Sequence, residues 1–255
     1  MNTTKKGTLH TEINNNIATV TFYHPQSNSL PSELLTRLTD QINTLSQNNQ
    51  IVAILLKSAG NKVFCAGASF DELLSIKNSQ DGKKFFSGFA NLINAMRKCS
   101  KIIVGRIHGK AVGGGVGIIA SCDYAFATTQ AFIKLSELAI GIGPFVIEPA
   151  VSRKIGKNAT IEMTLEPDIW KDVSWAKNKG LYAEIYQNTT ILDQQIDLFC
   201  SKLASYNPEA LYKIKKIIWE GTENWDTLLY QRAAVSGSLV LSDFTKNTLS
   251  KFGKP

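Results

Sequence analysis

Val63-Phe64-Cys65-Ala66-Gly67-Ala68-Ser69 and, further along, Gly113-Gly114-Gly115-Val116-Gly117 are two glycine-punctuated turns, and an acidic residue, Glu137, follows twenty positions after Gly117. Each turn comes after an apolar, β-type run and leads into a helix-type run. Strand-to-helix turns present backbone N–H groups that have no partner within the helix. Where two such turns converge, their N–H groups can hold an oxygen that becomes negative during a reaction. A single nearby carboxylate could then move a proton. The pattern therefore describes a site for chemistry beside a carbonyl, built mostly from backbone.

The flanking sequence places these turns in an alternating chain. Ile17 to Tyr23 alternates and is rich in β formers, so it predicts a strand. His24-Pro25-Gln26-Ser27-Asn28-Ser29 is a turn cluster. Leu34, Leu35, Leu38, Ile42 and Leu45 recur at helical spacing behind Pro31 and Ser32. Ile51 to Leu56 and Lys101 to Ile107 are short apolar runs that fit buried strands. Asp71 to Ile76 and Gly82 to Lys98 predict helices, the second with Phe85, Phe86, Phe89, Leu92, Ile93 and Met96 on its core face. Tyr124 to Ala127 and Ala131 to Leu135 predict short strands. Alternation of this kind argues for an α/β architecture. After about residue 190 the period becomes helical only, over Ile191 to Ala204, Pro208 to Trp219, Trp225 to Val240 and Thr245 to Phe252. We expect a core over residues 1–190 and a helical oligomerisation region over 191–255.

Composition narrows the class. The 255 residues are 44% hydrophobic and 19% charged, enough for a full core. No apolar run approaches the roughly 20 residues needed to span a membrane. Met1 to Lys6 has no apolar segment behind it and is not expected to be a secretory signal. Cys65, Cys99, Cys122 and Cys200 are widely spaced, with no CxxC pair and no Cys/His cluster, so no zinc site is expected and a reducing cytoplasm suits the thiols. The net charge of +7 leaves nucleic acid as a conceivable partner. The basic residues are scattered, however, and Lys213, Lys215 and Lys216 read as a solvated helix face.

The motifs Phe64-Cys65-Ala66-Gly67-Ala68-Ser69-Phe70-Asp71-Glu72-Leu73, Gly109-Lys110-Ala111-Val112-Gly113-Gly114-Gly115, Ser121-Cys122-Asp123-Tyr124, Leu135-Ser136-Glu137 and Gly141-Ile142-Gly143-Pro144 resemble, in order and spacing, the crotonase superfamily, also called the enoyl-CoA hydratase/isomerase family. The resemblance extends over nearly the full chain. It implies a spiral of ββα units followed by helices used for trimer formation, an acyl-CoA thioester as substrate, and no cofactor beyond the coenzyme A carried by that substrate. It places the two oxyanion-binding N–H groups at Ala68 and Gly114, with Ala66, Gly67, Ser69 and Gly117 as substrate-side neighbours. Hydratases of the family often carry two glutamates. The second maps onto Glu137 and the first onto Gly117, which has no side chain. Gly-Gly-Gly-Val-Gly with Leu-Ser-Glu also resembles the methylglutaconyl-CoA hydratase subgroup and relatives in polyketide β-branching.

Each residue has a plainer reading beside this one. The three glycines could merely permit close packing. Glu137 could be a helix-end charge, with Lys134 as its ion partner; among apolar walls it would instead have a raised pKa, useful for exchanging protons near neutral pH. Asp71 and Glu72 read as a helix start, Glu148 as structural, His108 as a hydrogen-bonded interior residue, Cys65 and Cys122 as small core residues, and Trp219 and Trp225 as core or interface. The leading expectation is hydration of an α,β-unsaturated acyl-CoA, with methylglutaconyl-like branching one option. Gly117 would leave room for a bulky acyl group. A double-bond shift or a decarboxylation through the same enolate is the alternative, and RNA binding, which has no use for Glu137, is a rival of another class. A homotrimer or hexamer is expected.

Overall fold

Side chains alternate across a strand, and in this protein the alternation divides the interior into two cores. The structure, a computed structural model, describes residues 6–252; the reading of Met1 to Lys6 falls outside them except at Lys6. The strands are β1 (Thr8–Asn14), β2 (Ile17–Tyr23), β3 (Ala53–Ser58), β4 (Val63–Cys65), β5 (Ile102–Ile107), β6 (Lys110–Val112), β7 (Tyr124–Thr128), β8 (Ile133–Lys134) and β9 (Glu184–Tyr186). The helices are α1 (Ser32–Gln47), α2 (Phe70–Leu74), α3 (Ser79–Lys98), α4 (Gly114–Ser121), α5 (Glu148–Ile155), α6 (Lys157–Leu165), α7 (Val173–Asn178), α8 (Thr189–Ser205), α9 (Pro208–Ile218), α10 (Trp225–Leu239) and α11 (Asp243–Phe252), with a 3₁₀ turn at Glu137–Ile140.

A six-stranded sheet runs in the order β1-β2-β3-β5-β7-β9, antiparallel at β1–β2 and parallel elsewhere. Ile54 and Leu56 face the larger core with α1, α3 and α4, whereas Ala53 and Leu55 face a second core closed by Leu192, Ile196 and Leu203 of α8 and Leu211 of α9. The helices after residue 190 therefore cover one face of their own sheet. The sequence gives no sign of β1, whose side chains are largely polar and exposed; it is an edge strand, paired to β2 through Asn15 and Asn16 at positive φ. The predicted strand Ala131 to Leu135 shortens to β8.

A second sheet positions the site. It is three-stranded, in the order β4-β6-β8, and parallel throughout. The strands that lead directly into the two glycine turns are thus β4 and β6, not the longer runs Ile51 to Leu56 and Lys101 to Ile107. All three strands end on one edge: β4 delivers Ala66 to Ser69, β6 delivers Gly113 and Gly114, and β8 delivers Leu135 to Glu137. Ligand sites of open parallel sheets lie at that carboxyl edge.

The C-terminal helices are tied to the rest by close backbone packing and by buried charge. A Cβ on Gly237 of α10 would fall 2.4 Å from the Lys83 amide nitrogen, so α10 crosses α3 backbone to backbone at Gly82. Lys215 of α9 is 2% exposed and paired with Asp123 at 2.6 Å, and Asp123 also accepts from Trp219 Nε1 at 2.7 Å and from the Ile103 amide. This corrects the reading of Lys213, Lys215 and Lys216 as one solvated face: Lys215 is a buried charge held by a buried carboxylate. Trp219 and Trp225 pack edge to face within the core, as expected. No helix of the described residues is long and apolar enough to cross a membrane.

Candidate active site

The first turn is held open from behind. Ser27 and Asn28 adopt left-handed backbone, φ 54° and 55°. Asn28 is buried and spends its side chain on the backbone: Nδ2 donates to the Ala59 and Val63 carbonyls at 2.8 and 2.9 Å, and Oδ1 accepts from the His24 amide. The turn so fixed receives the Ala66 N–H on the Ser27 carbonyl (3.1 Å) and donates the Leu30 N–H to the Gly67 carbonyl (2.8 Å). The Gly67 N–H is directed at Cys65 Sγ. The Ala68 N–H has no backbone acceptor among the described residues. Ser69 caps α2 through its hydroxyl, accepting from the Glu72 amide.

The second turn abuts the first. Gly67 has φ +86°, and a Cβ there would lie 2.8 Å from the Val112 carbonyl oxygen and 3.4 Å from the Gly114 nitrogen. The Gly113 N–H donates to the Lys134 carbonyl at 2.9 Å, stitching the turn to the strand that carries the acid. Gly114 begins α4, so its N–H has no partner within the helix, and none elsewhere in the backbone of the described residues. Ala68 and Gly114, on adjoining turns, thus each carry an N–H group without a backbone acceptor among the described residues. The helix dipole adds to the positive potential at Gly114.

The glycines serve packing at the same time. A Cβ at Gly115 would meet the Cys65 carbonyl oxygen at 2.6 Å, and one at Gly114 would meet the Phe89 ring of α3 at 2.3 Å. At Gly113 (φ +52°) it would fall 2.6 Å from Glu137 Oε1. The plain packing reading and the oxyanion reading are therefore compatible. Small residues let Phe89 and the Glu137 carboxylate lie directly against the backbone that carries the donors.

Glu137 opens the 3₁₀ turn. The residue as a whole is partly exposed, but its Oε2 is buried with no hydrogen-bond partner among the described residues. Burial of the carboxylate pushes its pKa up to about 7, against a smaller opposing pull from its own backbone N–H. Lys134 is not its ion partner: the Lys134 ammonium sits over the Trp170 ring, 4.9 Å from its centroid, as does that of Lys110 at the same distance. Desolvation thus governs this carboxyl.

Three other expectations change. Gly117 does not open acyl space, because a Cβ there would meet Ile147 Cγ2 at 2.5 Å and Cβ at 2.7 Å. The volume a side chain at 117 would take is already filled by Ile147, which is 3% exposed. His108 is buried, but neither ring nitrogen is hydrogen-bonded; burial, together with the Arg106 charge, lowers its pKa to about 4 and keeps it neutral. Asp71 and Glu72 do start α2, yet Glu72 is also engaged: its Oε2 accepts from the Ser32 amide and hydroxyl. Glu148 is structural as read, accepting from Ser152 and pairing with Arg232 at 2.7 Å. Cys65 and Cys122 are fully buried and their thiols are pushed up to about 12, which makes them inert.

A cavity of about 980 Å³, mostly apolar, is lined by residues such as Ile142, Phe145, Pro149, Ile161, Trp225 and Leu228. It adjoins the segment after Glu137, but Ala68, Gly114 and Glu137 do not line it. The chemistry-bearing groups lie instead in the narrow seam between the turns. Sequence reasoning missed Phe89 as a wall of this seam, because nothing distinguishes it from the other apolar residues of α3. Ile147 lies in the Phe145–Ile147 loop that the sequence offered as a pocket wall, and its contact with Gly117 now fixes where it stands.

Two N–H groups without backbone acceptors, on adjoining turns, and a desolvated carboxylate packed against Gly113 are the chemistry-bearing features of this region. The chain belongs to the enoyl-CoA hydratase/isomerase family, whose model matches residues 12–252, and it is an enzyme of the crotonase type. It is 25% identical to the short-chain-enoyl-CoA hydratase of Clostridium acetobutylicum, covering 92% of this chain and 90% of that protein. It is 24% identical to the peroxisomal Delta(3,5)-Delta(2,4)-dienoyl-CoA isomerase of Arabidopsis thaliana, covering 77% and 74%. Among solved structures, an enoyl-CoA hydratase from Bacillus halodurans superposes with a TM-score of 0.88 at 24% identity, covering 95% of this chain and 99% of that one. That likeness establishes the fold.

Proposed function

We propose that the protein binds an α,β-unsaturated acyl-CoA and works through the enolate of its thioester. The Ala68 and Gly114 N–H groups hold the thioester oxygen as it gains charge, and Glu137 is the sole carrier of the proton beside it. The observation that carries this reading is the Glu137 carboxylate, desolvated and lying against the Gly113 turn one residue from a free donor. A pKa of about 7 lets one group both take and return a proton near neutral pH. The thioester supplies the acidity, so the mechanism uses no metal or redox group.

Two fates of the enolate follow. In hydration, Glu137 also orients the water that adds at Cβ. In a double-bond shift, Glu137 takes a proton from Cγ of the α,β-unsaturated thioester and returns it at Cα, and no water enters. The second gains support from Ile147, which stands where a second carboxylate would help to hold that water. A methylglutaconyl-like branched acyl group remains within the proposal. A homotrimer or dimer of trimers is proposed on the exposed apolar residues of α6 and α9, such as Leu165 and Ile217, 67% and 62% exposed.

The test has two arms. Exchange of the α-hydrogens of a bound saturated acyl-CoA in D₂O reports the oxyanion cradle and Glu137 whatever the native reaction. A panel of enoyl-CoA thioesters, methylglutaconyl-CoA included, followed by the conjugated chromophore and by product analysis, separates hydration from migration. Absence of both exchange and thioester binding would overturn the proposal.

A further inference from the structure

Gly113 and Gly117 lie on successive turns at the start of α4, and the Gly117 N–H donates to the Gly113 carbonyl. The space above Gly113 holds the Glu137 carboxylate, and the space above Gly117 holds Ile147. Neighbouring positions one turn apart sit roughly 5–6 Å from each other. An acid and a branched alkyl group are therefore side by side over the same short stretch of helix. The alkyl group is not loosely placed. Ile147 caps α5, is 3% exposed, and has Val146 (4%) and Pro149 beside it in the core. The Val151 N–H donates to its carbonyl.

We propose that Ile147 is the residue that sets the fate of the enolate: by filling the space over Gly117 it denies the site a second water-binding group and commits it to proton return. This rests on the enolate reading above and deepens it by naming the determinant of reaction type. Hydration needs a water oxygen to bond to Cβ while the π pair moves to the thioester oxygen. The water's proton must go to a carboxylate, and a proton must then reach Cα. With one carboxylate, and an apolar wall where another would stand, that water has one polar partner where it would have two. A proton shift makes no such demand. A proton leaves Cγ for Glu137, a Cβ–Cγ double bond forms as the π pair moves to the thioester oxygen, and the same proton re-enters at Cα.

The substitutions must be paired. Gly117→Glu alone places a side chain on Ile147 and is expected to lower the melting temperature sharply. Gly117→Glu with Ile147→Gly exchanges the two volumes, and Ile147→Ala alone opens the space without adding an acid. Each is assayed with crotonyl-CoA for hydration and with butyryl-CoA for α-hydrogen exchange in D₂O. The expected result is a hydration-to-exchange ratio in the double variant at least roughly tenfold above wild type, a small part of the 10²–10⁴-fold that a placed acid/base group supplies. A smaller rise in the same direction is expected for Ile147→Ala. An unchanged or lower ratio in folded, exchange-competent variants would overturn the role of Ile147. If the double variant does not fold, Ile147→Ala decides alone. Loss of exchange in the wild type would instead count against the enolate reading itself, so the two failures are distinct.

Discussion

Glu137 is the residue on which most depends. Glu137→Gln keeps the volume and removes the proton carrier, so turnover should fall by about 10³–10⁴-fold, the upper range for general acid/base catalysis, in single-turnover assays on folded protein. The same variant makes a stability prediction of opposite sign. The carboxyl is raised from its ordinary value of 4.5 to about 7 in the folded state. Between these values the folded protein keeps a proton that the unfolded chain releases, so wild-type stability should decline as pH rises from about 4.5 to about 7. Each unit is worth ~1.4 kcal/mol, giving about 3 kcal/mol in all. Glu137→Gln should be indistinguishable from wild type in thermal melts near pH 4 and more stable at pH 8; equal melting at both would show that the carboxylate is solvated. Wild-type kcat/KM should rise with an apparent pKa near 7. The acid itself was legible in the sequence through its register with the glycine turns. Its freedom from Lys134 was not, because only the pairing of β6 with β8 and the position of Trp170 decide where that ammonium goes.

At the scale of elements, the site is a product of three short strands and one helix wall. Gly114→Ala would drive a methyl group into the Phe89 ring and move the donor turn. Turnover should fall by up to ~10²–10³-fold, the value of one oxyanion donor, and Phe89→Leu in the same protein should recover part of it. A double variant no better than the single would show that Phe89 is not what displaces the turn. Gly237→Ala tests the α3–α10 crossing, where the new methyl group would meet backbone that cannot swing aside. We expect a loss of about 1–3 kcal/mol or more, seen as a lower denaturation midpoint with unchanged slope. The periodic helices α1, α3, α8, α9 and α10 were readable because each buries a long apolar stripe. The strands β4 and β6 were not, since three-residue strands leave no period to count, and α5 to α7 offered too few turns for the same reason.

At the scale of the whole molecule, charge and apolar surface divide the work. Lys215→Met would leave Asp123 ionised in the interior with one partner fewer, and should cost about 3–5 kcal/mol without changing the pH profile of catalysis. The exposed Leu165 on α6 predicts a contact between copies. Leu165→Glu should lower the mass measured by light scattering while leaving the circular dichroism of the chain intact; an unchanged mass would remove α6 from any interface. The α/β class and the helical C-terminus were legible from the change of period near residue 190, but the inward fold of α8 and α9 over their own sheet was not, because an apolar stripe does not say which surface it will cover. Gly141, four residues after the acid, packs against Phe244 and Thr245 of α11. The loop that bears Glu137 is thus braced by a helix far away in the sequence, so damage to α11 should reach the catalytic proton without touching any group that carries chemistry.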